Sequence, residues 1–406
     1  MQLRFTFRRR HAVALVIVVL AAGCGTSDAR NALANTGCQT PGVNPTTVKL
    51  GLLFPNSGPA APQFADFRAG VDARFGLANS QGGVGGRKLT YDWEDDASDP
   101  ATNLAAATRL VDSSQDFAVI ESSNVSTSSA AYLHDNAIPV IGSGAEAAWS
   151  ENDNMFTWSQ YLTAGPAPLT WGNFARTRGG RKAAVLRIAF NEASSTFAQK
   201  MTESLKAAGI DVVYTDQISV TGTDLTGIVT KIKNSGADVL TGGLTVDAFA
   251  GVVAAANRAQ IPLKVAMSAA GYDQSVLRAY GPKLAGTYLF VNVAPFEENL
   301  PVHRTFIDAM AAYAPQTQPP TRQVALTGWI SADMLLRGLQ AAGPCPTRQS
   351  FITHLRNVHD YAADGLVSPP VDLAKYGEVA RCYTFLQINP TGSAFAVQQP
   401  APYCGS

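Results

Sequence analysis

Apolar and polar positions along the chain follow two rhythms. Short apolar runs bounded by turn residues recur at residues 48–54 (VKLGLLF), 88–94, 117–120 and 138–141, then again at 183–190, 211–219, 237–240, 263–268 and 286–294. Runs of this length suit parallel strands covered on both faces. Between them the apolar residues recur at helical spacing. Residues 64–78 and 128–136 predict helices. Asp99 followed by Pro100 is a cap with proline at the first helical position, and Leu104, Ala107, Thr108 and Val111 behind it share one face. In the second half, a helix over 194–208 turns Phe197, Met201 and Leu205 inward and stops at Gly209. The helix over 223–235 aligns Leu225, Ile228, Val229 and Ile232, with Gly236 after it. The one over 247–259 aligns Phe249, Val252, Val253 and Ala256. Helices over 301–313, 323–342 and 347–358 follow, and the Pro- and Gly-rich tail from Gly365 holds strands at 382–388 and 394–397.

The alternation breaks around residues 158–168 and then restarts, so the pattern predicts an α/β chain in two lobes of similar plan. The roughly 360 residues in these elements also exceed what one core usually holds. In an open α/β sheet, ligands sit outside the carboxyl ends of the strands. The stretch over 117–145 (FAVIESSNVSTSSAAYLHDNAIPVIGSGA) places two loops there. Ser122, Ser123, Asn124, Ser126 and Ser143 bring hydroxyls or an amide beside the free N–H groups of helix starts, which suit an anion or a carbonyl. The same residues serve equally as helix caps.

Residues 1–23 read as an export signal. Arg4, Arg8, Arg9 and Arg10 precede an apolar run over 12–22 that is shorter than the ~20 residues of a membrane span. The run ends Leu20-Ala21-Ala22-Gly23-Cys24, which resembles a bacterial lipobox and makes Cys24 the expected lipidation site. Residues 24–47 are rich in small and polar side chains and read as a tether. The full chain has 31 basic and 31 acidic residues. Removing the four arginines of the leader leaves a net charge of −4, which argues against nucleic-acid binding. The remaining cysteines, Cys38, Cys345, Cys382 and Cys404, show no CxxC and no metal-ligand spacing, and fit an oxidising compartment. Four cysteines allow three pairings. The favoured one is Cys345–Cys382, tying a late helix start to a C-terminal strand, with Cys38–Cys404 joining the two ends.

Competing chemistries are poorly supported. The run Gly82–Gly86 before Lys88 lacks both phosphate-loop patterns and precedes a strand rather than a helix. Asp92, Glu94, Asp95, Asp96 and Asp99 lack the order of a calcium loop. Ile141 stands where a GxSxG elbow around Ser143 needs glycine. His134, His303, His354 and His359 form no metal motif. No metal or cofactor is expected, and an exported hydrolase is the enzyme alternative.

Three stretches resemble one family, the substrate-binding lipoproteins of branched-chain-amino-acid-type ABC transporters, which are Leu/Ile/Val-binding-protein-like. Gly82-Gly83-Val84-Gly85-Gly86-Arg87, then Asp95-Asp96 and Asp99-Pro100-Ala101-Thr102, is similar to the family's first-lobe segment. Residues 224–243 (DLTGIVTKIKNSGADVLTGG) resemble its second-lobe helix and strand, and the order of elements is similar from Val48 to Gln398. The resemblance implies a type I periplasmic binding fold, two doubly wound parallel-sheet lobes joined by a three-strand hinge. Its implied layout is a first lobe over 48–162 plus 297–365 and a second over 163–296 plus 366–406. The chain would cross between them near 158–167, 294–298 and 363–370. It further implies a monomeric extracytoplasmic protein, lipid-anchored to a bacterial membrane, that delivers a small molecule to permease subunits and performs no catalysis. A ligand-sensing subunit of a membrane signalling system is the alternative use of the same fold.

Carried onto this chain, the resemblance places the ligand against Asn124, Val125 and Ser126 and against Ser143, Gly144, Ala145 and Glu146 of the first lobe. From the second lobe it draws on Ser194 and Ser195, Leu244, Ala269 and Tyr272. Gln63 and Phe64 lie where the family often sets a side chain over the ligand, and Trp158 is expected to pack at the hinge. The amino-acid binders use first-lobe hydroxyls for the ligand carboxylate and a second-lobe acid for its ammonium. Here Asn124 and Val125 replace usual serines, Glu146 stands near a usual threonine, and Ala269 stands where the acid belongs. An unpaired ammonium in a dry cleft costs on the order of several kcal/mol. The expected ligand is therefore a different small organic molecule, unless Asp273, a few residues on, supplies the missing acid.

Overall fold

The apolar runs become two separate sheets. The computed structural model describes residues 38, 40–144, 146–159, 165–189, 191–219 and 224–405. The expected leader and Cys24 lie outside them. In the first lobe, β1 (Thr47–Phe54) is buried from Leu50 onward and pairs in parallel with β2 (Lys88–Asp95) and β3 (Val119–Glu121). β4 (Val140–Gly142) and β5 (Met155–Thr157) extend the sheet, all parallel, in the order β2-β1-β3-β4-β5. Its helices are α1 (Phe67–Ser80), α2 (Pro100–Thr108), α3 (Thr127–Asp135) and the single turn α4 (Ala148–Glu151).

The second lobe begins with α5 (Leu169–Thr177), β6 (Lys182–Ile188), α6 (Glu192–Ala207) and β7 (Asp211–Ile218). It continues with α7 (Leu225–Ser235), β8 (Val239–Gly243), α8 (Val246–Arg258), β9 (Val265–Ser268), α9 (Gln274–Leu284) and β10 (Tyr288–Val291). The chain then returns to the first lobe for α10 (Pro301–Tyr313), α11 (Gln323–Ala342) and α12 (Arg348–Arg356), and ends in the second with β11 (Cys382–Ile388), β12 (Phe395–Val397) and β13 (Tyr403–Cys404). The second sheet runs β12-β11-β10-β9-β8-β6-β7, with antiparallel pairing only where the tail strands join it. The expected α/β class with two parallel-sheet lobes is what forms.

Most helix faces follow the apolar spacing. Phe197, Met201 and Leu205 are buried on α6, as are Phe249, Val252, Val253 and Ala256 on α8. Asp99 caps α2, accepting from the Thr102 N–H at 2.8 Å, but the buried face of that helix is corrected. Asn103, Ala106 and Ala107 point inward and Leu104 is exposed. The reason is polar. Asn103 is fully buried because it donates to Glu121 Oε1 at 2.9 Å and to Asp96 Oδ2 at 3.3 Å, and this pulls the helix round by one position.

The disulfides also differ from expectation. Cys38 pairs with Cys345, and Cys382 with Cys404. β13 sits in register beside β11, which puts Cys404 directly across from Cys382. Arg87, 2 % exposed, donates to the carbonyls of Asn44 and Pro344, drawing the segment around Cys38 against the loop that carries Cys345. Part of the expected tether is accordingly packed: Val43 is buried and bridges Val48. The expected pairs would have bridged the lobes; each observed pair closes within one lobe and leaves the lobes free to move.

α11 is seated by glycine. A Cβ on Gly70 of α1 would lie 1.8 Å from the Ala325 carbonyl oxygen, and one on Gly328 of α11 would lie 2.0 Å from that of Phe67. The two helices cross backbone to backbone, which brings the first turn of α11 to the edge of the cleft. The three crossovers are tied together beside it. Asn292 Nδ2 donates to the Trp158 carbonyl at 3.3 Å, and the Ala294 N–H donates to the Leu366 carbonyl at 2.8 Å.

Candidate functional site: the cleft between the lobes

Two loops leave the carboxyl ends of β3 and β4 and face the second lobe. They approach closely because residue 142 is glycine; a Cβ there would lie 1.7 Å from the Glu121 carbonyl oxygen. The hydroxyls on these loops are largely engaged with one another. Ser122 and Ser143 share a hydrogen bond at 3.0 Å, and Ser123 donates to the buried Asp96. Asn124 Nδ2 reaches Gln63 Oε1 at 3.3 Å across the rim, while Phe64 packs against the first-lobe core.

The start of α3 is the most committed point. Glu146 Oε2 accepts from the Ser126 hydroxyl at 2.8 Å and from the Thr127 N–H at 2.9 Å. Ser126, fully buried, also accepts from Trp149 Nε1 at 2.9 Å, and Trp149 is itself 1 % exposed. A helix N-terminus attracts negative charge through its free N–H groups and dipole. Here the protein's own carboxylate fills that position with charge-assisted hydrogen bonds. Beneath it, burial holds the Glu121 carboxyl at about 8; the Asn103 hydrogen bond opposes this, and the negative charges of Asp96 and Glu146 add to it.

Across the cleft, Ser194 accepts from the Ile188 N–H at 2.7 Å and donates to the Gly243 carbonyl. Ser195 donates to the Asn191 carbonyl at 2.9 Å and accepts from Arg187 Nη1 at 3.2 Å. Both serines thus stitch the loop that starts α6. Leu244 is buried. Tyr272 is 3 % exposed; its hydroxyl donates to Glu297 Oε2 and accepts from the Phe296 N–H, both at 2.6 Å, which fixes the second crossover. Asp273 caps α9 through Ser275 and forms an ion pair with Arg322 Nε at 3.1 Å. Arg322, just before α11, pairs with Asp66 Oδ2 at 2.9 Å as well, so one guanidinium joins a first-lobe acid to a second-lobe acid.

A cavity of about 140 Å³ lies between the lobes beside the hinge. Ser143 and α11 residues Gln323, Leu326 and Thr327 line it from the first lobe, and Ala269, Asn292 and Val293 from the second. Trp158 and Ser159 of the first crossover form its floor. Of the site residues expected from the sequence, Ser143 and Ala269 line this cavity. Gln63, Phe64, Asn124, Val125, Ser126, Gly144, Glu146, Ser194, Ser195, Leu244 and Tyr272 are not among its lining residues, and Ala145 lies outside the described residues. Trp158, expected as hinge packing, is buried and lines the cavity too. Sequence reading missed Gln323, Leu326 and Thr327 because it looked only after strands; the exposed start of a helix following the second crossover was the available signal.

A family model described as periplasmic binding protein matches residues 47–394. A leucine-, isoleucine-, valine-, threonine- and alanine-binding protein of Pseudomonas aeruginosa is 24% identical over 316 residues, which cover 77% of this chain and 83% of that protein. A solute-binding protein from R. palustris, solved with benzoate, superposes with a TM-score of 0.69 at 19% identity, covering 89% of this chain and 98% of that one. A fatty-acid ABC-transporter substrate-binding protein from Thermomonospora curvata superposes with a TM-score of 0.72 at 16% identity, covering 91% and 95%.

Proposed function

The chain belongs to the periplasmic binding protein family, and on that premise we propose that it captures a small organic ligand between its lobes and delivers it to an ABC permease. We propose further that Cys24 carries a lipid anchor on the extracytoplasmic face of a bacterial membrane. The observation that carries the reading is the cavity at the hinge, lined from both lobes and from a crossover, in a chain whose disulfides each stay within one lobe. Ligand in such a place touches both lobes and biases a hinge closure. A non-catalytic role is supported by Ser143, whose hydroxyl partner is Ser122 rather than the base a nucleophile needs.

The ligand is not a standard branched-chain amino acid in this reading. The helix start that would take a carboxylate is filled by Glu146, and the acid that could take an ammonium, Asp273, is already paired with Arg322. The relatives themselves carry names or complexes with amino acids, benzoate and fatty acids, so membership leaves ligand class open.

The test is thermal denaturation against a library of small metabolites, with small-angle scattering on any hit. A ligand should raise the melting temperature by mass action and shrink the particle. Hits that raise stability without compaction would remove the cleft as the capture site. Unchanged membrane fractionation of Cys24→Ala would remove the anchor.

A further inference from the structure

We propose that Arg322 sets the charge selectivity of the cleft. Asp66 and Asp273 form a cation seat shared by the two lobes, and the Arg322 guanidinium occupies it in place of a ligand's ammonium or guanidinium group. This rests on the reading of the cleft as the capture site and adds the class of molecule that the site turns away.

Three observations carry it. First, the seat draws on both lobes. Arg322 Nη2 lies 2.9 Å from Asp66 Oδ2 in the first lobe, and its Nε lies 3.1 Å from Asp273 Oδ2 in the second. One guanidinium thus separates two carboxylates that would otherwise face each other as like charges. Second, each acid has an oxygen that only a cation completes. Asp273 Oδ1 is spent on the cap of α9, accepting from the Ser275 N–H at 2.7 Å and its hydroxyl at 2.6 Å, which leaves Oδ2 for the guanidinium. Asp66 makes no side-chain cap bond to the start of α1, so its carboxylate is likewise left to Arg322. Third, the seat adjoins the cavity and is open to small ions. Arg322 precedes Gln323, and Asp273 follows Ala269 by a few residues; both neighbours line the cavity. The side chains of Arg322, Asp66 and Asp273 are 26, 20 and 12 % exposed, so water reaches the site.

The consequence follows from how the parts are held. α1 and α11 cross backbone to backbone within the first lobe, so Asp66 and Arg322 move together and the Asp273 contact is the one that breaks when the lobes part. A free cation must displace a guanidinium tethered beside both acids, and a tethered partner competes at an effective concentration of about millimolar or more. Amines, amidines and zwitterions are therefore kept out, and the lobes can meet at this point without a cation from the ligand.

The experiment empties the seat and offers it a free cation. Methylguanidinium and its uncharged isostere N-methylurea are titrated calorimetrically into the full chain and into Arg322→Ala, at neutral pH and constant ionic strength. The prediction is saturable binding of methylguanidinium by the variant at least tenfold tighter than by the parent, with a rise in its melting temperature. N-methylurea should bind neither. Adding Asp273→Asn to the variant should weaken methylguanidinium at least tenfold again. No gain in Arg322→Ala overturns the seat, and equal binding by the parent overturns Arg322 as its occupant. N-methylurea binding as tightly overturns the role of charge. A gain undiminished by Asp273→Asn overturns a seat shared between lobes. Arg322→Gln, which keeps most of the side chain's bulk, gives a second readout by scattering. Its particle should be larger than the parent's at low salt and approach it at high salt, where the two carboxylates are screened; equal radii at low salt overturn the bridge. A neutral library hit that compacts the parent would still support capture between the lobes if the seat fails, so the two readings fail separately.

Discussion

The start of α3 and the cavity at the hinge are both rich in polar groups facing the cleft, yet they are opposite in state. At α3 each hydrogen-bonding group described above has a partner within the protein: Glu146 on Ser126 and Thr127, Trp149 on Ser126, Ser123 on Asp96. At the cavity the state is reversed: the space is open, and no described lining residue is a carboxylate or a cation. The difference teaches that a cluster of hydroxyls at a helix start does not mark a ligand site when a carboxylate from a neighbouring loop can reach it. Open space lined from both lobes is the better guide, because a ligand needs room as well as partners.

Breaking the satisfied side should cost most. Trp149→Ala removes a fully buried ring and the donor to Ser126, and should destabilise by about 3–5 kcal/mol in chemical denaturation. A loss under 1 kcal/mol would mean that the loops hold together without it.

The next effect is a pH dependence. Burial pushes the Glu121 carboxyl up to about 8 in the folded chain against an ordinary 4.5, so it takes up a proton on folding through that window. Its contribution is fully present below about 4.5 and is lost as pH rises toward 8, with the folded state binding more protons throughout. Asp116, buried and pushed to about 7 despite Lys49 nearby, slopes the same way. Glu121→Gln should therefore be more stable than the parent at pH 8 by on the order of a few kcal/mol, close to it at pH 4.5, and have a flatter pH profile. An unchanged slope would contradict the buried protonated carboxyl.

How much of this was legible beforehand depends on the distance over which each feature is decided. The faces of α6 and α8 are set by spacing within one helix and were readable from Phe197–Met201–Leu205 and Phe249–Val252–Val253. The inner face of α2 was not, because Asn103 answers to Glu121 and Asp96 on other elements. Disulfide partners depend on which strand the tail joins, and β13 lands on β11. The serine-rich loops were visible as polar loops at strand ends. That Glu146 fills one of them depends on a hydrogen bond across 20 positions, and the cavity needs α11 to arrive from a third pass of the chain.

Glu146→Ala should sharpen the comparison by turning the satisfied side into an open one. Loss of this carboxylate from the helix start should cost about 1 kcal/mol. Added acetate should then recover part of the lost melting temperature in the variant and none in the parent. Recovery in both would mean that the seat is open already.

The smallest effect concerns the contact that spans the two lobes. Arg322→Gln removes the bridge between Asp66 and Asp273 and should cost about 0.2–1 kcal/mol, less in high salt. Scattering should show a slightly larger particle in low salt than for the parent. Identical radii at all ionic strengths would remove the bridge from any role in closure.

The most direct test of the contrast between a filled anion seat and an uncharged cavity is calorimetric titration of leucine, isoleucine and valine into the unmodified protein. With Glu146 on α3 and Asp273 on Arg322, neither end of these zwitterions finds a free partner, and the titrations should give no saturable heat up to millimolar concentration. Micromolar or tighter binding of any one of them, abolished by Asp273→Ala, would contradict the account and make Asp273 the ammonium partner instead.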